Sequence, residues 1–105
     1  MSEGESILKM EFNDITFEWD DNKNQTNIKK HDIDFETAIR IFADENRIDL
    51  YDEEHSEYEE RYLTIGIVDT VTVLVTVSYT ERDEALRIIS ARRATREERR
   101  MYNDR

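Results

Sequence analysis

The sequence predicts an α+β fold in which an antiparallel β-sheet is accompanied by two N-terminal helices and a C-terminal helix. Three features of its 105 residues support this prediction. Apolar residues recur at helical spacing from Phe35 to Phe42, apolar and polar residues alternate after residue 47, and a helix-capping pattern opens at Thr95. Because only short links join the later strands, we expect those strands to pair antiparallel.

Two short apolar alternations open the chain, Leu8-x-Met10-x-Phe12 and Ile15-x-Phe17-x-Trp19. The polar pair Asn13-Asp14 separates them, which predicts either one bent strand or a loose hairpin. Residues 1–6 are small and acidic and are expected to fray. If Met10 is the true start, residues 1–9 form a disordered or dispensable extension of a single domain.

Two helices are predicted next. Asp20 is a favourable N-cap for a helix over residues 21–31, which ends in Lys29-Lys30-His31 and so places cations at the negative end of its dipole. Asp32 then stands where a left-handed residue is expected. Asp34 caps the second helix, which is predicted to end near residues 43–45. Its core stripe consists of Phe35, Ala38, Ile39 and Phe42.

Period-two alternation predicts the later strands. Ile48 and Leu50 indicate a short strand, residues 62–67 a second one, and Asp69-Thr70 a tight connection. Residues 71–79 alternate and are rich in valine and threonine, which favours a central strand. A turn at residues 82–84 leads to a strand over residues 86–91. The final helix is predicted from the capping box of Thr95 and Glu98 and extends through Tyr102.

Composition narrows the class of protein. The chain has 37% apolar and 39% charged residues and a net charge of −11, and its length fits one domain. It has no cysteine, which excludes disulfides and thiolate zinc sites. The sequence contains neither a membrane-length apolar run nor a signal-peptide pattern, so we expect a cytoplasmic location.

Charge is distributed unevenly along the chain. Residues 82–105 contain eight arginines and five acidic residues, whereas residues 1–81 contain seven Lys or Arg and twenty-one acidic residues. An acidic body of charge −14 therefore carries a basic C-terminal quarter of charge +3. Arginine forks suit bidentate contact with phosphate or carboxylate, so we expect one surface that meets such groups.

A set of short motifs gives the sequence a family resemblance over residues 12–103. In order and spacing they resemble the BrnT family of type II toxins. They are Phe17-Glu18-Trp19-Asp20, Asn27, Lys30-His31, Phe35-Glu36-Thr37-Ala38, Glu60-Arg61-Tyr62-Leu63-Thr64-Ile65-Gly66, Tyr79-Thr80-Glu81-Arg82, Ile89-Ser90-Ala91-Arg92-Arg93-Ala94-Thr95, Glu98-Arg99 and Tyr102. Two positions depart from the family pattern: Asp32 stands where the family has glycine, and Glu45 where it often has proline.

The resemblance implies a RelE-like fold and a ribonuclease toxin that inhibits translation. It implies a BrnA-like antitoxin partner with a ribbon-helix-helix DNA-binding region. The pair would contact operator DNA through the antitoxin and repress its own operon as a hetero-oligomer. No cofactor and no metal are implied, because the expected reaction is metal-independent cleavage of RNA.

Such cleavage requires proton transfer and neutralisation of charge on the phosphate. We expect His31, Arg61, Arg82 and Arg92 as catalytic residues and Arg93 and Tyr102 as substrate-binding residues. Glu60 and Glu98 are further candidates for proton transfer. Each has a structural alternative. His31 can complement a helix dipole, Arg61 and Arg82 can pair with nearby acids, Glu98 can complete the capping box, and Tyr102 can pack. His55, in an acidic loop, is expected to have no role.

The net charge keeps a second function open. An acidic body repels RNA, whose phosphates dominate binding to proteins. Either the basic groups are segregated on one face, or the ribosome presents the RNA, or the chain is a catalytically inactive binding module. Such a module would act as a co-repressor with a DNA-binding antitoxin. Self-association through an exposed sheet edge, giving a homodimer, is also open.

Overall fold

A computed structural model describes residues 6–68 and 73–104 of the chain. The strands are β1 (Ile7–Phe12), β2 (Ile15–Asp20), β3 (Ile48–Tyr51), β4 (Arg61–Ile67), β5 (Leu74–Arg82) and β6 (Ala85–Arg93). The α-helices are α1 (Asp21–His31), α2 (Phe35–Ala38) and α3 (Arg96–Asn103), and two 3-10 turns cover Ile39–Ala43 and Glu53–His55. The α+β class is confirmed. Among the described residues, no helix has the length and hydrophobicity needed to cross a bilayer.

The six strands form one mixed sheet in the order β1-β2-β6-β5-β4-β3. The antiparallel pairing expected after residue 47 is confirmed for β3, β4, β5 and β6. The prediction of a wholly antiparallel sheet is wrong at one junction, because β2 runs parallel to β6. These strands are far apart in sequence, and a long connection containing helices can return the chain in the same direction.

The N-terminal segment is a hairpin rather than a bent strand. β1 pairs with β2 along its whole length, from Ile7 opposite Asp20 to Phe12 opposite Ile15. Asn13 and Asp14 both have positive φ, the conformation that a two-residue hairpin turn requires. Residues 7–9 of the expected extension are therefore paired in β1, whereas residues 1–5 lie outside the described part of the chain.

Helix α1 has the caps that the sequence predicts. The Asp20 carboxylate accepts a hydrogen bond from the Asn22 N–H at 3.0 Å. Asp32 is left-handed at the C-terminus, with φ of 59°, and its N–H donates to the Ile28 carbonyl. Asp32, which stands where the BrnT-like pattern has glycine, thus adopts the same left-handed backbone that glycine would favour. A residue other than glycine incurs a conformational cost there.

The second predicted helix is a single α-turn that tightens into a 3-10 turn. Asp34 caps it by accepting from the Thr37 N–H. The predicted stripe is confirmed, since Phe35, Ala38, Ile39 and Phe42 are all buried. The chain leaves the α-helical path before Asp44, whose carboxylate accepts a hydrogen bond from the Ile67 N–H at 2.9 Å. This link to β4 holds the end of the turn against the sheet.

The two faces of the sheet serve different purposes. One face packs its apolar side chains under α1, α2 and the first 3-10 turn, with Phe17, Trp19, Val77, Ile88 and Ala91 in the core. Gly66 permits close approach there, because a Cβ at this position would lie 2.9 Å from the Ile41 Cβ. The opposite face is polar near its centre and contacts α3 through Thr76.

Strand β5 lies between β4 and β6, which confirms the central position expected for it. It begins at Leu74, and the predicted connection at Asp69-Thr70 and the predicted strand residues Val71-Thr72 lie outside the described residues. The turn predicted at residues 82–84 is confirmed at Asp83 and Glu84, with Asp83 at positive φ, whereas Arg82 is the last residue of β5. A β-bulge shifts the β5–β6 register at Ser78/Tyr79.

Candidate functional site

A cavity of about 190 Å³ lies on the polar face of the sheet, opposite α1 and α2. We call it the arginine cavity. Its walls come from three strands and from the loop after β3: Asp52, His55, Arg61, Leu63, Thr76, Ser78, Ile89, Ser90 and Arg92. Two of the four predicted catalytic residues, Arg61 and Arg92, therefore share one concave site.

Strand register explains why these side chains meet. Leu63 lies opposite Ser78, and Ser78 lies opposite Ser90, so one row crosses β4, β5 and β6. Arg92 lies opposite Thr76 on the same face. Because side chains alternate along a strand, the small hydroxyl residues leave space at the centre and the long arginines lie at the sides.

Arg61 lines the arginine cavity with part of its guanidinium unsatisfied. Its Nε is buried and has no hydrogen-bond partner within residues 6–68 and 73–104. The ion pairing with acids considered for it in the sequence is not seen among those residues. A guanidinium that lines a cavity without a carboxylate partner keeps its donors for an anionic ligand.

Arg92 is held by Glu98 in a bidentate pair, with distances of 2.8 and 3.0 Å from its two terminal nitrogens to the carboxylate oxygens. The hydrogen bond from Arg92 to Glu98 is the main reason that the pKa of Arg92 is raised. The pair joins the end of β6 to the first turn of α3. Arg92 therefore lines the cavity in an orientation fixed by Glu98, and the Glu98 carboxylate partly neutralises its charge.

Glu98 completes the predicted capping box: its carboxylate accepts from the Thr95 N–H while the Thr95 hydroxyl accepts from the Glu98 N–H. Burial alone would raise the pKa of Glu98. Hydrogen bonds from Arg92, from the Thr95 N–H and from the Thr76 hydroxyl outweigh that effect and lower the pKa to about 2. Glu98 is therefore ionised at neutral pH, which makes it an anchor for Arg92 and a poor proton donor.

His55, for which the sequence predicted no role, also lines the cavity. Its Nδ1 lies 2.9 Å from Oδ2 of Asp52, and its side chain is 59% exposed. The loop is fixed beside Arg61, because the Asp52 N–H donates to the Arg61 carbonyl and the Arg61 N–H donates to the Ser56 hydroxyl. The available signal was the spacing of an acid and a histidine three residues apart directly after a strand.

His31 lies next to the arginine cavity and outside it. It lines a second hollow of about 270 Å³, which we call the α1 depression. The residues that form it are Asn22, Lys23, Thr26, Asn27, Lys30, His31, Ile89 and Ser90. Ile89 and Ser90 line both hollows, so the two adjoin along β6.

The remaining predicted residues lie elsewhere. Arg82, the last residue of β5, has a side chain that is 47% exposed and pairs with Glu59 at 3.5 Å. Arg93 lies opposite Val75, on the strand face that Arg92 does not occupy. The Tyr102 hydroxyl donates to Asp44 at 2.6 Å, which ties α3 to the end of the 3-10 turn. Glu60 accepts a hydrogen bond from the Tyr62 hydroxyl.

The carboxylates of the loop after β3 are not arranged as a metal site. Within the described ranges, no three His, Asp or Glu side chains are grouped closely enough to hold an ion. The donors that converge in the arginine cavity are guanidinium, imidazole and hydroxyl groups, with Asp52 as its one carboxylate. This set suits contact with a phosphate oxygen.

Most of the chain is similar to one known protein family. Residues 19–98 match a family model described as the ribonuclease toxin BrnT of type II toxin–antitoxin systems. The matched segment covers more than half of the chain and includes every residue that lines the arginine cavity. Among curated proteins, none matches the chain.

Proposed function

Because the chain belongs to the BrnT family of ribonuclease toxins of type II toxin–antitoxin systems, we propose that the arginine cavity is where it cleaves RNA. The observation that carries this proposal is Arg61, whose buried Nε has no partner in the described part of the chain and whose cavity also holds His55 and Arg92. A chain of net charge −11 has acidic residues in excess for pairing with every arginine. Arg61 forms no ion pair in the described part of the chain, although Asp52 lines the same cavity, and this favours an anionic substrate.

The proposed reaction is attack of a ribose 2′-hydroxyl on the adjacent phosphate. The 2′-oxygen–phosphorus bond forms while the bond from phosphorus to the 5′-oxygen breaks. His55 is suited to take the 2′-hydroxyl proton, because a proton on Nδ1 is shared with Asp52 and leaves the Nε2 lone pair free. Returned through the same nitrogen, the proton neutralises the departing 5′-oxygen. Arg61 stabilises the negative charge that builds on the phosphate oxygens.

Arg92 has a different part in this proposal. Both of its terminal nitrogens donate hydrogen bonds to Glu98, so Arg92 contributes a positive charge at a fixed position in the cavity wall. The catalytic set that we propose is therefore Arg61, His55 and Arg92, with Asp52 and Glu98 as positioning residues. His31, Arg82, Arg93 and Tyr102 do not line the cavity and are left out of this set.

Finer features of the family resemblance are part of the proposal. We expect cleavage without a divalent metal, since cations of the chain itself meet the phosphate, and we expect translation to stop as messenger RNA is cut. We describe the sheet with α3 across its polar face as RelE-like. The partner that the family implies is an antitoxin, and we propose a BrnA-like protein with a ribbon-helix-helix region that contacts operator DNA.

Induced expression tests the proposal directly. The chain alone should arrest growth, and the purified protein should cut single-stranded RNA in the presence of EDTA. Arg61→Ala should lower the cleavage rate by about 100-fold or more, the effect typical of removing one donor to the transition state, while Arg61→Lys keeps part of it. The matched control is Arg100→Ala, an exposed arginine of α3 outside the cavity. Full activity of Arg61→Ala would show that the site is elsewhere.

One observation favours a second function, that of a co-repressor without nuclease activity. Glu98 already occupies the fork of Arg92, which leaves that arginine less able to grip phosphate. A co-repressor would raise the operator affinity of its antitoxin and cleave no RNA at any protein concentration. Measuring both quantities on one preparation separates the two functions, because only the nuclease loses an activity on Arg61→Ala.

A further inference from the structure

The α1 depression has the chemistry of a phosphate site, although no step of the proposed reaction uses it. Lys23 and Lys30 lie on one face of α1, seven residues apart, with Asn27 between them. Neither lysine has an ion-pair partner within residues 6–68 and 73–104. No Asp or Glu is among the residues that line the depression.

The depression adjoins the arginine cavity. Ser90 and Ile89 lie on the border of both hollows, so a chain of phosphates leaving the cavity across β6 enters the depression next. The geometry is fixed by Asn27, whose amide donates to the Ala91 carbonyl at 2.8 Å and accepts from the Ala91 N–H at 3.1 Å. These bonds hold α1 beside the residue that follows Ser90.

Because the two hollows adjoin, we infer that the α1 depression binds the backbone of the same RNA strand outside the scissile nucleotides. The inference rests on the proposed function of the arginine cavity and extends it. Lys23 and Lys30 contact phosphates, and His31 borders the path without taking part in proton transfer. Backbone contacts carry no base information, so this subsite adds affinity for longer single strands irrespective of their sequence.

An acidic segment of a protein partner is the competing occupant. The position of the depression beside the proposed cleavage site favours RNA, because a strand held in the arginine cavity passes the depression, whereas a peptide in the depression would compete with that strand for Arg61. The two adjoining hollows concentrate cations on a body that otherwise repels nucleic acid.

The test uses the full chain and 2′-O-methyl oligoribonucleotides, which cannot be cleaved, of about three and about eight nucleotides. We expect Lys23→Ala/Lys30→Ala to bind the longer strand about tenfold more weakly than the unaltered chain at low salt. The slope of log affinity against log salt should fall by about 0.7 for each lysine–phosphate pair removed, thus by about 1.4. Binding of the shorter strand, which fills the cavity alone, should not change.

Lys29→Ala is the matched control, because this lysine is on the same helix, is exposed and does not line the depression. Lys23→Arg/Lys30→Arg should retain binding of the longer strand. Unchanged affinity of the double alanine variant overturns the inference, and so does loss of antitoxin binding with RNA binding intact. If Arg61→Ala still abolishes cleavage in that case, the proposed function stands. A chain that binds neither oligonucleotide overturns both.

Discussion

At the scale of single residues, the site depends on how each charge is balanced. Arg61 and Arg92 line the same cavity, yet one is unpaired among the described residues and the other is bound at both terminal nitrogens by Glu98. The difference follows from the caps of α3. Glu98 is required at the third position of the helix to complete the capping box, and Arg92 lies within its reach.

Glu98→Gln should lower the free energy of unfolding by about 1–2 kcal/mol at pH 7, because the charge that holds Arg92 is removed while the amide can still cap α3. Folding lowers the pKa of this carboxyl from 4.5 to about 2. Its stabilising effect is therefore complete above pH 4.5 and disappears as the pH falls towards 2.

Urea unfolding of the two proteins at several pH values measures this effect, and their stabilities should converge at the acid end. Glu97→Gln removes a neighbouring exposed carboxylate of α3 and serves as the control. A stability difference that is equal at neutral and at strongly acidic pH would mean that the charge of Glu98 contributes nothing.

At the scale of elements, the side chain of Asn27 makes the backbone hydrogen bonds with β6 that a neighbouring strand would otherwise make. β2 pairs with β6 only through Phe17 opposite Leu86 and Glu18 opposite Arg87, after which the chain turns into α1. The outer side of β6 then lacks a neighbouring strand at Ala91. The Asn27 side-chain amide accepts a hydrogen bond from the Ala91 N–H and donates to the Ala91 carbonyl. It also donates to the Ile33 carbonyl.

Asn27→Ala should destabilise the fold by about 2–4 kcal/mol, since it leaves three backbone groups in and near the core without partners. Urea unfolding measures the total loss in the free energy of unfolding. Hydrogen exchange should accelerate more at the Ala91 amide than at the Val77 amide in the neighbouring strand. Gln25→Ala, at an exposed position of α1, should change neither quantity. An Asn27→Ala protein as stable as the unaltered chain would mean that water replaces the amide.

Local signals in the sequence predicted the elements well and their assembly less well. The caps at Asp20, Asp34 and Thr95 are set by neighbouring residues, and all three were confirmed. The parallel pairing of β2 with β6 was missed, because no local pattern records which distant strands meet. The place of His55 was missed for the same reason: its proximity to Arg61 depends on the pairing of β3 with β4.

At the scale of the whole molecule, long-range electrostatic repulsion of RNA opposes short-range attraction. The net charge of −11 repels RNA, whereas the two basic hollows attract it at close range. The longest extent of the molecule is 50 Å. At about 0.01 M salt the screening length is about 30 Å, so an approaching strand senses most of the molecule. At about 0.15 M the length is about 8 Å, and the strand senses the nearest face only.

The rate of RNA association should therefore rise as salt is increased from about 0.01 to about 0.1 M, while the equilibrium affinity falls with counterion release. Screening weakens the repulsion during approach, and it also weakens the lysine and arginine contacts with phosphate, which speeds dissociation. Stopped-flow fluorescence with a labelled strand of about eight nucleotides measures both rates, and an uncharged peptide nucleic acid of the same sequence should show no rise. An association rate that falls steadily from about 0.01 M upward would mean that the basic hollows dominate even at long range, and that the acidic body does not hinder encounter.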